Sequence, residues 1–177
     1  LGSLFLSGAN TFQVADPVTK ALNDMTGEAI AMGILDRGNV ILVIKEESKY
    51  AFRFTLHVGS ILPAYASAIG KAFLSELSDV EIDNLYQKEE LKPVAKNTIT
   101  TKSALKLDLA EIRKTGFSFG WEESYEGVAS VAALVRDRTG KPVAGVTIPI
   151  PIYKMNGSHK KRLARLVKMG CGLISYQ

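Results

Sequence analysis

The sequence predicts an α+β fold in which one antiparallel sheet packs against helices. Hydrophobic residues alternate with a two-residue spacing in some segments and recur at helical spacing in others. The strand-like segments form two groups of three, with helical segments before, between and after them. No repeat, linker or low-complexity stretch divides the 177 residues, an ordinary length for one domain. We therefore expect a single domain.

The chain is expected to open with a helix and a three-stranded segment. Asp16 followed by Pro17 is a typical helix start, and Gly27 is expected to end that helix. Residues 28–46 contain two β-rich runs around a short Gly/Asn turn, which predicts a hairpin. Residues 50–58 alternate and predict a third strand with four apolar residues on its buried face. These are Phe52, Phe54, Leu56 and Val58.

Three helices are predicted in the middle of the chain. Residues 64–77 are rich in small helix-forming residues. Ser78 and Glu81 have the spacing of a capping box, which predicts the start of a second helix. Residues 103–115 carry leucine and isoleucine at helical spacing, and Gly116 is expected to end this third helix.

Three further strands and a basic helix complete the predicted order. The strands are expected at residues 117–122, 128–136 and 142–150, and the helix at residues 158–175. Five basic residues share that helix with a buried apolar side: Lys160, Lys161, Arg162, Arg165 and Lys168. A solvated helix face is the favoured interpretation of these charges, with a DNA contact as the alternative.

Composition excludes several classes of protein. The net charge is only +4, and no apolar run reaches the ~20 residues that a membrane-spanning helix needs. The N-terminus lacks the pattern of a signal peptide. Cys171 is the single cysteine, so no internal disulfide can form, and we expect a cytoplasmic protein. The chain begins with Leu1 and an apolar segment, which predicts a piece cut from a larger protein.

Residue patterns for catalysis are few. Gly70 and Lys71 resemble the end of a phosphate-binding loop, but that motif requires glycine at Tyr65 and Ser or Thr at Ala72. Ser67 and Lys71 lie four residues apart on a predicted helix, which leaves a serine hydrolase as a minor alternative.

Metal and acid–base patterns are also weak. His57 and His159 have no metal-ligand spacing to another histidine, cysteine or carboxylate. Glu122 and Glu123 would point to opposite faces if both lay in a strand. The residues therefore favour a binding module over an enzyme, with no cofactor and no metal.

Three segments together resemble the IclR family of bacterial transcriptional regulators. The first is residues 62–74, where Leu-Pro precedes a Gly-Lys-Ala helix. The second is residues 97–113, with Thr-Ile followed by spaced leucines and Ile-Arg. The third is residues 116–132, with Gly-Phe, Glu-Glu and Gly-Val in the family's order and intervals. Each motif is weak alone, whereas the series is specific.

The resemblance implies a GAF-like effector-binding domain at residues 11–177, preceded at residues 1–10 by the remnant of a linker helix. It implies that the DNA-binding winged helix-turn-helix is absent from this chain. In such regulators a small organic or aromatic acid binds this domain and alters DNA binding by a dimer or tetramer. We therefore expect a small-molecule effector, self-association, DNA contact only through the missing N-terminal domain, and no membrane partner. An oligomerisation module with a vestigial pocket is the alternative.

The resemblance also places ligand-binding positions on this sequence. The backbone amides of Ala68 and Ile69 are expected to face a carboxylate. The family's polar positions fall at four residues: Gly120, Ser130, Thr147 and Pro149. An apolar wall is expected from Ile69, Phe54 and Trp121. Because Gly120 and Pro149 offer no polar side chain, we expect an effector larger and less polar than a two- or three-carbon keto acid. Ser130 and Thr147 have an alternative role as half-buried strand residues bonded to backbone.

Overall fold

The computed structural model describes the backbone of residues 2–51 and 55–175, with side chains from Phe12 onward. Its helices are α1 Gly2–Thr26, α2 Ala68–Leu74, α3 Asp79–Leu85, α4 Lys102–Thr115 and α5 Gly157–Ser175. Its strands are β1 Ile30–Asp36, β2 Asn39–Glu46, β3 Ile61–Pro63, β4 Ser118–Trp121, β5 Val128–Arg136 and β6 Pro142–Pro151. Short 3₁₀ turns lie at Ala64–Ala66 and Ile152–Lys154.

The strands form one six-stranded antiparallel sheet in the order β3-β2-β1-β6-β5-β4. Each half of the sheet is a meander of three strands that follow one another in sequence. The halves join where β1 pairs with β6, with Ala31 opposite Thr147. This arrangement confirms the predicted α+β class, in which short turns join sequential antiparallel strands.

Helices cover both faces of the sheet, so two hydrophobic cores lie on either side of it. Helices α1 and α5 pack on one face, against aliphatic side chains that alternate along β5 and β6. Helices α2 and α4, with α3 beside them, cover the other face. Since side chains alternate along a strand, each of the central strands contributes to both cores.

Local start and stop signals are confirmed where they do not depend on distant contacts. Ser78 and Glu81 form the capping box at the start of α3. Gly27 and Gly116 follow α1 and α4 with φ of 70° and 71°, the left-handed conformation that ends helices. Arg37 and Gly38 also have positive φ, so the β1–β2 turn has the geometry that suits a two-residue hairpin.

The predicted helix start at Asp16 is wrong, because α1 begins at Gly2 and passes through Pro17 without a break. Asp16 forms an ion pair with Lys20 one turn later rather than capping the helix. Packing of this helix against α5 offsets the hydrogen bond lost at the proline. None of the helices in the described residues is long and apolar enough to cross a membrane.

The third predicted strand is also misplaced. Residues 55–58 are not in a strand, and the edge strand is instead β3, three residues long. Only Leu56 is buried among those four residues, whereas Val58 is 57% exposed. Residues 52–54 lie outside the described residues. The alternation matched a strand locally, but hydrogen bonds to β2 are made by Gly59 and Ser60 and by β3.

The first of the three middle helices is divided. Residues 64–66 form a 3₁₀ turn, and Ser67 then takes an extended conformation with φ −129° and ψ 144°. The Ser67 hydroxyl accepts a hydrogen bond from the Gly70 amide and caps α2. A serine cap competes with helix continuation, which explains the break within a segment of good helix formers.

Candidate functional site

A small cavity, here called the α2 cavity, lies between the sheet and the start of α2. Its free volume is about 30 Å³, which accommodates about one water molecule. Its lining residues come from all six strands, the segment before β3, the start of α2 and the β4–β5 loop. They are Ala31, Leu42, Leu56, Leu62, Ser67, Ala68, Ile69, Gly120, Glu123, Ser124, Tyr125, Val128, Ser130, Thr147 and Pro149.

Six of the eight positions expected from the sequence line this cavity. They are Ala68, Ile69, Gly120, Ser130, Thr147 and Pro149. The sheet brings four of them together, because Gly120 pairs with Ser130 across β4–β5 and Ser130 pairs with Pro149 across β5–β6. Thr147 lies two residues before Pro149 and therefore on the same face.

The two hydroxyl groups on this face differ in what they contact. The Thr147 hydroxyl donates a hydrogen bond of 3.0 Å to the Val131 carbonyl. Thr147 therefore has the alternative role, that of a strand residue whose hydroxyl is bonded to the backbone. The Ser130 hydroxyl has no hydrogen-bond partner among the described residues, and Ser130 is half-buried. Ser130 is therefore the hydroxyl that can still donate to a ligand.

Gly120 leaves space beside this hydroxyl. A Cβ atom at Gly120 would lie 3.3 Å from Ser130 Oγ, 3.6 Å from Ala68 Cβ and 3.7 Å from the Ala68 nitrogen. The position in front of Gly120 is thus bordered by a hydroxyl and by the backbone amide of the first residue of α2. That amide has no acceptor within its own helix, since the first turn of a helix lacks preceding carbonyls.

Helix α2 reaches the sheet because small residues lie beneath it. A Cβ atom at Gly145 on β6 would come within 2.8 Å of Ile69 Cγ1. Ile69 is almost fully buried between α2 and the sheet, so it belongs both to the core and to the cavity wall. A larger side chain at Gly145 or at Ile69 would push the start of α2 away from Ser130.

Two further wall residues were expected. Phe54 lies outside the described residues. Trp121 is wrong as a wall residue, because it follows Gly120 in β4 and its side chain lies on the opposite face of the sheet. There its ring packs 6.2 Å from the ring of Phe119, which belongs to the α5 side. Neighbouring side chains in a strand point to opposite faces of the sheet, so Gly120 and Trp121 cannot both face one cavity.

The Glu-Glu pair lies beyond the end of β4, not within a strand as expected. Glu122 has φ of 52° in the left-handed region, and its carboxylate accepts the amide hydrogen of Gly127. Glu123 follows in the loop and lines the α2 cavity. Glu123 can face the cavity because the turn at Glu122 interrupts the extended backbone that was expected for both residues.

Glu123 is paired with a lysine that has almost no exposed surface. Lys71 Nζ lies 2.9 and 2.7 Å from the two Glu123 carboxylate oxygens and 2.8 Å from Asp108 Oδ2. It also donates a hydrogen bond of 3.0 Å to the Phe119 carbonyl. Burial raises the pKa of the Glu123 carboxyl, and the Lys71 ammonium opposes that rise. We regard both carboxylates as ion-paired, since these distances are those of charge-assisted contacts.

These contacts leave Lys71 without the geometry of a base for Ser67. The lysine ammonium is held by two carboxylates and a carbonyl, while the Ser67 hydroxyl caps α2. Both side chains thus have structural roles in positioning α2. The arrangement disfavours the hydrolase alternative, in which the serine hydroxyl would donate to the amine.

The basic side chains of α5 are partly used within the protein. Lys160 Nζ lies 3.8 Å from the centre of the Phe119 ring. Arg162 donates to the Met25 carbonyl near the end of α1, and Lys168 donates to the Thr115 carbonyl at the end of α4. These contacts stabilise helix ends, which agrees with the favoured interpretation of the charges rather than with a DNA contact.

Comparison with known proteins decides the family. Residues 4–176 match the model of a family described as bacterial transcriptional regulator IclR C-terminal. The chain belongs to this IclR C-terminal family. The resemblance of the three sequence motifs to the IclR family is thereby confirmed.

A curated relative and two solved structures extend this result. The transcriptional repressor IclR of Escherichia coli K12 is 30% identical over 169 residues, covering 94% of this chain and 62% of the repressor. The crystal structure of Thermotoga maritima IclR has a TM-score of 0.88 at 28% identity, covering 94% of this chain and 68% of that one. An IclR homologue from Microbacterium hydrocarbonoxydans, complexed with 4-hydroxybenzoate, has a TM-score of 0.84 at 19% identity. The match covers 94% of this chain and 67% of the Microbacterium chain. The chain thus spans less than two-thirds of the E. coli repressor.

The sequence motifs of the IclR C-terminal family meet around the α2 cavity. The Gly-Lys-Ala motif contributes the helix and Lys71, and the Glu-Glu motif contributes Glu123. Nine lining residues are not among the expected positions. Four lie at the start of α2 or in the β4–β5 loop, namely Ser67, Glu123, Ser124 and Tyr125, and the other five are apolar: Ala31, Leu42, Leu56, Leu62 and Val128. Strand pairing places most of the apolar residues at the cavity, and no local pattern distinguishes them from other core positions.

Proposed function

We propose that this chain is the effector-binding domain of a regulator and that its ligand is a small organic acid bound in the α2 cavity. The observation that carries the proposal is the opening at Gly120. The Ser130 hydroxyl and the Ala68 amide both border this opening, and the rest of the wall is largely apolar. A few convergent polar groups in an apolar wall are typical of ligand sites.

The acid group is expected to occupy the space that a side chain at position 120 would take. A carboxylate there lies within reach of the Ser130 hydroxyl and the Ala68 amide. Hydrogen bonds to a charged acceptor are stronger than those between neutral groups. Thr147 supports this site as packing, because its hydroxyl already donates to Val131.

The size of the cavity limits how the ligand binds. A volume of about 30 Å³ is well below the ~150 Å³ of an engineered cavity that binds benzene. An aromatic or medium-sized acid must therefore widen the α2 cavity as it binds. The same small volume supports the second candidate function, an oligomerisation module whose pocket is vestigial.

A thermal-shift panel separates these two candidates. Carboxylates, sugar acids and aromatic acids, with 4-hydroxybenzoate and 3-hydroxybenzoate among them, are added to the 177-residue chain. A ligand at 100 times its Kd adds about 2.7 kcal/mol, which raises the Tm of a domain this size by roughly 5–10 °C. No rise with any acid would favour the oligomerisation module.

Substitutions at two glycines locate the binding site. Gly120→Asp places a carboxylate beside Ser130 and Ala68, so we expect at least 100-fold weaker binding of the best acid. Gly157→Asp is the matched control, since it adds the same charge at a position with no heavy atom within 4 Å of a new Cβ. Equal affinity in both folded variants, measured by calorimetry, would place the ligand elsewhere. Ala68→Trp is a poorer test, because Ala68 is 2% exposed and the added ring exceeds the cavity.

We further propose that the ligand biases DNA binding by a separate N-terminal domain and that the regulator works as a dimer or tetramer. The support is the family and the greater length of the E. coli repressor, of which this chain covers 62%. Effector control of this kind requires different ligand affinity in two conformations. Sequence-specific, nanomolar binding of promoter DNA by these 177 residues alone would contradict the proposal.

A further inference from the structure

We propose that Glu123 determines specificity in the α2 cavity by selecting acids that also carry a hydroxyl or N–H group. The inference rests on the proposed function, since it concerns the same ligand site. It follows from three features of the structure: the contacts of Lys71, the balance of charge around Glu123, and the hydrogen bonds already made by other lining residues.

The first feature is that the contacts of Lys71 lie within the protein. Its ammonium group donates hydrogen bonds to the Phe119 carbonyl and to Glu123 Oε1, and it forms an ion pair with Asp108 Oδ2 at 2.8 Å. The side chain is only 1% exposed, so it cannot turn towards a ligand without breaking these contacts. An acid bound in the cavity therefore meets Glu123 and not a free cation.

The second feature is that Glu123 is the one member of this group of charges that lines the cavity, so the charge nearest the ligand is negative. One ammonium group, that of Lys71, faces the two carboxylates of Asp108 and Glu123. Lys160 is the nearby additional cation whose charge interacts with Asp108, and it lies over the Phe119 ring. Since like charges repel in a site of low dielectric, the ligand carboxylate is excluded from the side of Glu123. The acid group must lie towards Ser130 and Ala68.

The third feature is that the hydroxyl groups of Ser124 and Thr147 do not supply Glu123 with donors. The Ser124 hydroxyl donates to the Ala66 carbonyl, and the Thr147 hydroxyl donates to the Val131 carbonyl. A carboxylate offers about four acceptor positions. Lys71 donates to Glu123 Oε1, whereas Oε2 has no hydrogen-bond partner in the described part of the chain. A ligand that covers Glu123 without donating a hydrogen bond leaves a desolvated acceptor, and such sites reject analogues that lack the donor.

Matched pairs of acids test this selection by calorimetry on the wild-type chain. 4-Hydroxybenzoate is compared with 4-methoxybenzoate, 3-hydroxybenzoate with 3-methoxybenzoate, 4-aminobenzoate with benzoate, and 5-hydroxypentanoate with pentanoate. We expect the donor-bearing member of each pair that binds to have at least tenfold higher affinity. Equal affinity within pairs would overturn the inference and leave the proposed function standing. Absence of binding by every acid would overturn both.

Two substitutions at the same ion cluster assign the effect to Glu123. Glu123→Gln keeps the shape and provides both a donor and an acceptor, so the preference should fall below threefold. Asp108→Asn changes the other carboxylate on Lys71, outside the cavity wall, and should keep the tenfold preference. If Glu123→Gln does not fold, Glu123→Asp withdraws the carboxylate and should weaken the preference in the same way. An undiminished preference in the folded Glu123 variant would contradict the proposal.

Discussion

The two faces of the sheet are built from the same strands and differ in almost every other respect. Along β6, Val146, Ile148 and Ile150 are fully buried against the α5 side. The residues between them, such as Thr147 and Pro149, face α2 and line the cavity. The core on the α5 side is built from apolar side chains, whereas the α2 side also carries a glycine, a serine hydroxyl without a partner in the described residues, and a buried ion cluster.

This difference separates the part of the domain that supplies stability from the part that holds the proposed ligand site. Aliphatic side chains in close contact give the α5 side its stability through burial of apolar surface. On the α2 side, small residues at Gly120 and Gly145 let a helix start approach the strands and leave polar groups unpaired between them. Positions with such small side chains lose packing contacts and therefore stability, but they leave space that can accommodate a small molecule.

The largest expected effect on stability is on the α2 side of the sheet, at the buried cation Lys71. Lys71→Met leaves the Glu123 carboxylate buried without a partner, and we expect a loss of about 3–5 kcal/mol in the free energy of unfolding at pH 7. Removing the ammonium raises the pKa of Glu123 further above its unfolded value, so protonation stabilises the folded variant. The deficit should therefore be smaller at about pH 5 than at about pH 8, as measured by urea unfolding.

A double variant checks that the unpaired charge causes this loss. Glu123→Gln combined with Lys71→Met removes both charges of the pair, so part of the lost stability should return. If the double variant is less stable than Lys71→Met at every pH, packing rather than charge dominates this face.

The next largest effect is expected on the aliphatic face. Ile148→Ala removes most of a fully buried side chain from the α5 side, and we expect a loss of about 2–5 kcal/mol in unfolding free energy. Ligand affinity should change less than about threefold, because Ile148 faces away from the cavity. Ile148→Val should cost about 0.5–1.5 kcal/mol. A strong loss of affinity in these variants would mean that the two faces are coupled.

The smallest effect on stability is expected at the cavity wall. Ser130→Ala should change the unfolding free energy by less than about 0.5 kcal/mol, since the hydroxyl has no partner among the described residues. Ligand affinity should fall about tenfold or more, because a hydrogen bond to a charged acid is lost. Ser118→Ala is the control: this hydroxyl is buried on the same face, unpartnered in the described part of the chain, and away from the cavity. Equal affinity loss in both variants would remove Ser130 from the site.

Much of the fold could be predicted from sequence because its signals are local. The capping box at Ser78, the helix stop at Gly116 and the hairpin turn at Gly38 depend on a few neighbouring residues. The apolar, β-branched runs of β5 and β6 also identify these segments as strands without knowledge of the partner. These features determined the α+β class and the order of elements, and the family motifs indicated six of the cavity residues.

The tertiary structure decided what depends on contacts between distant segments. The helix passes through Pro17 because α5 packs against it, and the edge strand is β3 because β2 pairs there rather than with residues 55–58. Glu123 reaches the cavity only because the chain turns at Glu122, and its partner Lys71 lies 52 residues earlier. Capping and alternation are properties of neighbours in the chain. The closeness of the buried Glu123 carboxylate to the α2 cavity depends on how a helix packs on the sheet, and no local sequence pattern predicts it.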